Sequence, residues 1–190
     1  MRLEVAPTPS ARVAVTVTFL RLERFDFLTR PLPAGAGVLS VKQCTVPFYR
    51  HLYGTVGAPY LWWLRRSLDD AAITSILADP AVSIHVLYMD GQPAGFFELD
   101  RRSSPAINLS YFGLMPHVTG QGLGTPFLQS AVRAAQAMGA RAVTVNTCTA
   151  DHPRALPGYL ATGFVAVRSV REVWEVPRYL GLVIPDNLRV

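Results

Sequence analysis

The sequence predicts an α/β fold, one sheet covered by helices in a single domain of 190 residues, and three observations carry that expectation. Segments rich in β-branched and aromatic residues alternate with segments of helical periodicity. Clusters of glycine and proline separate the two kinds of segment. Half of the residues are hydrophobic and 16% are charged, a composition that excludes disorder.

Residues 1–12 contain Pro7 and Pro9 and are expected to be a flexible N-terminus. Val13 to Phe25 reads as the first strand: Val15, Val17 and Phe19 alternate with Thr16 and Thr18, then Leu20 and Leu22 alternate with Arg21 and Glu23. That change of phase predicts a bulge. Pro31, Pro33, Gly35 and Gly37 mark a loop. The aromatic-dense stretch from Val46 to Arg66 is expected to form short helical turns broken at Gly54, Gly57 and Pro59. Ser67 and Asp70 have the spacing of a capping box and open a helix to about Ala78.

Val82 to Met89 and Pro93 to Arg101 form a hairpin, since Asp90-Gly91 supplies the positive φ that a tight turn requires. A further strand, Ala106 to Leu114, is expected beside it. Phe127, Leu128, Ala131, Val132 and Ala135 recur at helical spacing, and Gly139 ends that helix. Ala142 to Asn146 reads as a buried strand, Asp151 to Thr162 as a helix distorted near Pro157-Gly158, and Phe164 to Val176 as one or two closing strands. The domain then spans residues 13–176. Residues 177–190 form an extension that packs on its own core or on the partner in a homodimer.

Charge and cysteine content narrow the function classes. Net charge is +5 and the isoelectric point is near 9.6, with Lys42 the only lysine. Between Asp100 and Asp151 there is no acid, whereas Arg101, Arg102, Arg133 and Arg141 fall in that stretch, so an anionic ligand would be tolerated. The dense basic and aromatic interleaving of a nucleic-acid surface is missing, and no nucleic-acid partner is expected. No apolar run is long enough for a membrane span, and no signal-peptide core follows Met1. Two isolated cysteines, Cys44 and Cys148, fit a reducing, cytoplasmic setting. The four histidines show no His-x-x-x-His spacing, so no metal is expected.

The segment from Leu114 to Pro126 lies between a strand and a helix and contains Gly120, Gly122 and Gly124. Such a turn brings several N–H groups toward one point at the positive end of the following helix, which is the construction of a phosphate cradle. A Walker loop needs Gly-Lys-Ser/Thr and is excluded by the single lysine at position 42. A dinucleotide fingerprint is disfavoured by the Gly-x-Gly-x-Gly spacing and by the next acid being as far away as Asp151. A ligand-free connection remains an alternative for the turn taken alone.

Taken with its neighbours, the turn says more. Tyr111 to Pro116, Gly120-Gln-Gly-Leu-Gly124, and His152-Pro-Arg-Ala155-Leu-Pro-Gly-Tyr159-Leu-Ala-Thr-Gly163-Phe164 together resemble the acyl-CoA-binding core of the GNAT superfamily of N-acetyltransferases over about Ile84 to Val167. The resemblance implies a mixed, mostly antiparallel central sheet and direct transfer of an acetyl group from acetyl-CoA to a primary amine, small molecule or peptide. It implies that Thr119, Gly120, Gln121, Gly122, Leu123, Gly124 and Thr125 hold the donor's phosphates, and that Asn146 and His152 contact its pantetheine arm. Thr119 stands where the family usually has Arg or Gln, and His152 where it commonly has Asn.

In such a reaction an amine attacks the thioester, an oxyanion forms, and thiolate departs. Backbone N–H around Leu114 and Met115 would meet the oxyanion. Tyr159 matches the family's general acid, with a free phenol pKa of about 10. Glu98 is the leading candidate for the base, with water relayed by Asn108 or His152 behind it. Glu98 also shares a strand face with Phe96 and Asp100 and could instead be solvated or paired with arginine. A covalent route through Cys148 is disfavoured, since no His-Asp relay surrounds it. The aromatic block Phe48 to Trp63 reads partly as core and partly as the wall of an acceptor pocket suited to an apolar or aromatic amine. A catalytically degenerate CoA-binding or regulatory module is the alternative reading.

Overall fold

The computed structural model describes residues 9–190 and confirms the α/β class with one seven-stranded sheet. The strands are β1 (Ser10–Leu22), β2 (Ala36–Val41), β3 (Val82–Met89), β4 (Gln92–Asp100), β5 (Ala106–Leu114), β6 (Ala142–Cys148) and β7 (Val165–Pro177). The helices are α1 (Val46–Gly57), α2 (Asp70–Ala78), α3 (Gly124–Ala137) and α4 (Ala155–Ala161). Strand order is β2-β3-β4-β5-β6-β1-β7. Every neighbour is antiparallel except β5 and β6, which run parallel.

Alternation along β4 builds both cores. Phe97 points to the side covered by Phe127, Leu128 and Val132 of α3, whereas Phe96 points to the side covered by Tyr49, Leu52 and Val56 of α1. Both phenylalanines are fully buried. Removing either ring would cost about 3–5 kcal/mol, as for any large core aromatic truncated to alanine.

Several boundaries differ from expectation for identifiable reasons. Strand β1 already includes Ser10, Ala11 and Arg12, because Ser10 pairs with Pro177 and Arg12 with Glu175; residues 1–8 of the expected flexible segment lie outside the described residues. The expected bulge is present, as a register shift between Phe19 and Leu20 against β7. Strand β2 lies partly inside the presumed loop, where its six residues form only an edge against β3, from Ala36 opposite Met89 to Val41 opposite Ile84.

Helix α1 runs unbroken through Gly54. Thr45 caps it by accepting from the Phe48 N–H, Pro47 occupies its first turn, and Tyr49, Leu52, Tyr53 and Val56 bury one face. Packing on that scale outweighs the cost of about 1 kcal/mol for one interior glycine. The cap of α2 is Asp69, whose carboxylate accepts from the Ala72 N–H at 2.8 Å, not Ser67. Helix α4 is shorter than expected because residues 151–154 form turns.

The C-terminal extension folds back on its own chain. Ile184 and Leu188 join Val13, Val15, Val17, Leu61 and Val176 in one apolar cluster, and Arg189 bridges to Val13. Among the described residues no helix is long and apolar enough to cross a membrane.

Candidate active site

Parallel pairing of β5 with β6 extends only from Ala106 opposite Ala142 to Asn108 opposite Thr144. Thr144 Oγ1 donates to Asn108 Oδ1 at 3.1 Å and closes this crotch, while the Asn108 amide donates to Ser110. Beyond it the two strands diverge. The opening is part of a cavity of about 740 Å³ whose walls include Leu109 to Leu114, Val145 to Cys148, the turn before α3, α4 and the aromatic segment after α1.

The glycine-rich turn takes the shape its residues demand. Gly120 and Gly122 have φ of +87° and +80°, a region that side chains with Cβ avoid. Helix α3 begins at Gly124 with no side-chain cap and no acid in its first turn, so its first N–H groups have no partner within the helix. Thr119, Gly120, Gly122, Gly124 and Thr125 all line the cavity. Two of the expected contacts do not: the Gln121 amide folds back onto the His117 carbonyl, and Leu123 is buried in the core under α3.

At the end of β5, Leu114 lines the cavity and Met115 does not. The Met115 N–H is spent on the Ala94 carbonyl at 2.8 Å, so it is not free to meet an oxyanion. Antiparallel bonding alternates along a strand, and the backbone groups of Leu114, opposite Gly95, therefore face away from β4 into the gap.

Tyr159 lines the same cavity from α4, only 6% exposed and packed by Phe164 and Phe112 at ring-centroid distances of 5.6 and 6.4 Å. Burial, reinforced by the nearby Asp151 charge, pushes its phenol well above the usual range. Among the described residues its hydroxyl has no hydrogen-bond partner, so the proton is both retained and free to be directed into the cavity. Asn146 and His152 are on the wall as well. His152 Nδ1 accepts from the Arg154 N–H at 3.1 Å, so in the neutral imidazole Nε2 bears the proton. His152 therefore offers a donor rather than a base.

Glu98 does not line the cavity. It is fully buried on the α1 side of β4, where its carboxylate accepts from Tyr49 Oη at 2.6 Å and from Arg65 Nη2 at 2.8 Å. Burial works against the Arg65 charge, but Glu98 outweighs it and holds the guanidinium protonated. The expected base is thus the anion of an enclosed ion pair, the arginine-paired alternative among the sequence expectations. The Arg65 guanidinium also lies over the Tyr111 ring at 5.3 Å, and the Arg65 backbone N–H donates to Tyr53 Oη, so this residue braces the aromatic wall from behind.

That wall contains Tyr53, Trp62 and Tyr111, with centroid separations of 5.2 Å for Tyr53–Trp62, 5.2 Å for Trp62–Tyr111 and 4.9 Å for Tyr53–Tyr111. Sequence reasoning missed Asp151. Its Oδ2 accepts from Thr147 Oγ1 and the Cys148 N–H, and its Oδ1 accepts from Trp62 Nε1 at 3.2 Å. The only local sign was its position just after a strand, ahead of His152. Burial and then the Asp151 charge push the Cys148 thiol up to about 12, which keeps it from acting as a thiolate.

The arginines of the acid-free stretch do not converge on the cavity. Arg102 pairs with Asp100, Arg101 donates to the Pro80 carbonyl, Arg133 lies over Phe27, and Arg141 is not on the wall; Arg154, outside that stretch, is. Among the described residues no three His, Cys, Asp or Glu side chains cluster as metal ligands would.

A family model for the acetyltransferase (GNAT) domain matches residues 62–177. The chain belongs to the GNAT family. No curated protein matches the sequence. Among solved structures, the GNAT fold is shared with a GCN5-related N-acetyltransferase from Kribbella flavida, at 17% identity and TM-score 0.61 over 91% of this chain and 63% of that one. A tandem GNAT protein from the clavulanic acid biosynthesis pathway aligns at 16% identity and TM-score 0.58 over 89% of this chain and 55% of that one. An aminoglycoside acetyltransferase from an uncultured soil metagenomic sample aligns at 15% identity and TM-score 0.55 over 68% and 88%. The chain thus spans less than two thirds of the length of the first two.

The GNAT cavity imposes a packing constraint at Gly113. A Cβ there would stand 2.3 Å from Val56 Cγ1 and 3.6 Å from the Trp62 ring. Gly113→Ala must push α1 or Trp62 aside, and overpacking of this kind costs about 1–3 kcal/mol. The expected result is a lower Tm in thermal unfolding; an unchanged Tm would show that α1 or Trp62 gives way without cost.

Proposed function

We propose that the protein transfers the acetyl group of acetyl-CoA directly to a primary amine. One observation carries the reading: a cradle of uncapped backbone N–H donors, a strand gap and a proton-bearing tyrosine open onto one cavity. The donor's pyrophosphate would rest on the backbone of residues 119–125, where the α3 dipole adds to the N–H groups. The pantetheine arm would follow the gap between β5 and β6, within reach of Asn146 and the Nε2–H of His152. Arg154 is the cationic wall residue available to a 3′-phosphate.

When bound, the donor supplies an activated acyl group and a sulfur leaving group. The Leu114 N–H stabilises the charge that builds on the carbonyl oxygen. Tyr159 hands its proton to the departing sulfur and recovers one from the amine nitrogen. Glu98 is left out of proton transfer in this reading, because Tyr49 and Arg65 enclose it. The cytoplasmic setting expected from the two cysteines accords with both being free thiols.

Thermal unfolding titrated with acetyl-CoA, CoA and dephospho-CoA tests the reading. At a hundred times its dissociation constant the donor should stabilise the fold by about 2.7 kcal/mol, with the dephospho form binding more weakly. Absence of any shift at millimolar donor would remove the donor site. A saturable shift without acetylation of any amine would favour the CoA-binding or regulatory module instead.

A further inference from the structure

The cavity also indicates what the acceptor is. Resting on the acetyl-transfer reading, we infer that the acceptor is an apolar or aromatic primary amine with a single positive charge, and that Asp151 receives its nitrogen.

Among the described residues lining the cavity, Asp151 is the only carboxylate. The other groups able to take a proton there are committed elsewhere. His152 Nδ1 is occupied by the Arg154 N–H, and the Cys148 thiol holds its own proton. Glu98 is enclosed off the wall. The Asp151 carboxylate is rigidly aimed: the Thr147 hydroxyl at 2.8 Å and the Cys148 N–H at 2.9 Å engage Oδ2, while among the described residues Oδ1 has only the Trp62 indole N–H at 3.2 Å. A carboxylate oxygen offers two acceptor positions, so Oδ1 keeps one for an incoming ammonium.

The surroundings of that oxygen are aromatic. Trp62, which contacts Oδ1, packs against Tyr53 and Tyr111, and Leu61, Trp63 and Trp174 extend the apolar wall. One ammonium at Oδ1 is matched by one negative charge, and an apolar or aromatic side chain is matched by the rings that line the wall beside it. A second ammonium on the same molecule would lie against this wall with no carboxylate to meet it, which penalises polyamines and other polycations.

The proton balance closes. The ammonium gives one proton to Asp151, which releases it to solvent. The nitrogen lone pair then forms the N–C bond, the C–S bond breaks with its pair on sulfur, and Tyr159 protonates that sulfur. The nitrogen's second proton restores Tyr159. Products are the acetamide, the free thiol and one proton.

The test uses the full chain with acetyl-CoA and four probes: 2-phenylethylamine, tryptamine, spermidine and kanamycin. The two arylalkylamines should exceed the polycations in kcat/KM. Asp151→Asn should raise KM for 2-phenylethylamine by about 10- to 100-fold, the scale of losing a hydrogen bond to a charged group, while the thermal shift given by acetyl-CoA is kept. Trp62→Phe, which leaves Asp151 intact, should raise the same KM less. Preference for spermidine or kanamycin, no turnover of either arylalkylamine, or an unchanged KM in Asp151→Asn would overturn the inference although the donor binds. Failure of the wild-type protein to bind acetyl-CoA would overturn the donor reading and this inference with it.

Discussion

Tyr159→Phe should lower kcat for acetyl transfer by about 10²- to 10⁴-fold, the range that a positioned general acid contributes, and leave acetyl-CoA affinity unchanged. The substitution removes one oxygen from a ring already held by Phe164 and Phe112, so the α4 packing survives. No hydrogen bond within the described residues is lost with that hydroxyl, and stability should change little. Burial and the Asp151 charge keep the phenol protonated well into the alkaline range. The wild-type rate should therefore show no loss from Tyr159 ionisation near pH 10, where an exposed tyrosine would begin to titrate at about its ordinary value. Rates measured from pH 6 to 11 for both proteins decide the matter. Equal rates across that range would remove Tyr159 from the mechanism without touching the family assignment.

Arg65→Met should be the most destabilising single change away from the apolar core. Glu98 is fully buried and Arg65 is its only cationic partner among the described residues, at 2.8 Å with Arg65 side-chain exposure of 17%. Removing one member of such a pair leaves an uncompensated buried charge and costs about 3–5 kcal/mol. For a chain of this size that corresponds to a fall in Tm on the order of 10 °C. Adding Glu98→Gln to Arg65→Met should recover part of the loss, because a neutral amide needs no counter-charge, so the pair would score as strongly non-additive. Because the Arg65 guanidinium also lies over Tyr111, KM for the proposed acceptor should rise in the single variant at temperatures where it remains folded, whereas the backbone N–H bond to Tyr53 is kept. A Tm within a degree or two of wild type would mean that solvent reaches Glu98 and that the pair is not structural.

Much of the fold was legible because its signals are local. The Asp90-Gly91 turn, Gly139 after α3, and the phase change at Phe19–Leu20 each report the backbone conformation of their own neighbourhood. Strand β2 was hidden because six edge residues with a weakly buried pattern carry little periodicity. Helix α1 was fragmented on paper because Gly54 opposes helix locally, while the buried face that overrides it exists only against β4. The place of β1 between β6 and β7 had no sequence signal either, since its partners lie more than a hundred residues away.

The candidate site divides along the same line. That the glycine-rich turn and Tyr159 belong to one site was readable as an expectation, because glycine spacing, the strand-to-helix junction and the Tyr159-to-Phe164 motif are contiguous in the chain, and the structure places both on one cavity. The roles of Glu98 and Asp151 were not. Both are single carboxylates on or just after strands, and each acquires its chemistry from partners brought by other elements: Tyr49 and Arg65 around the first, Trp62 beside the second. By itself the sequence determined the fold class and the backbone of the glycine-rich turn, since backbone shape follows from local φ preferences and hydrophobic period. Only the tertiary structure decided which carboxylate is enclosed and which faces the cavity, because charge, burial and hydrogen-bond partners depend on what long-range packing brings within a few ångströms.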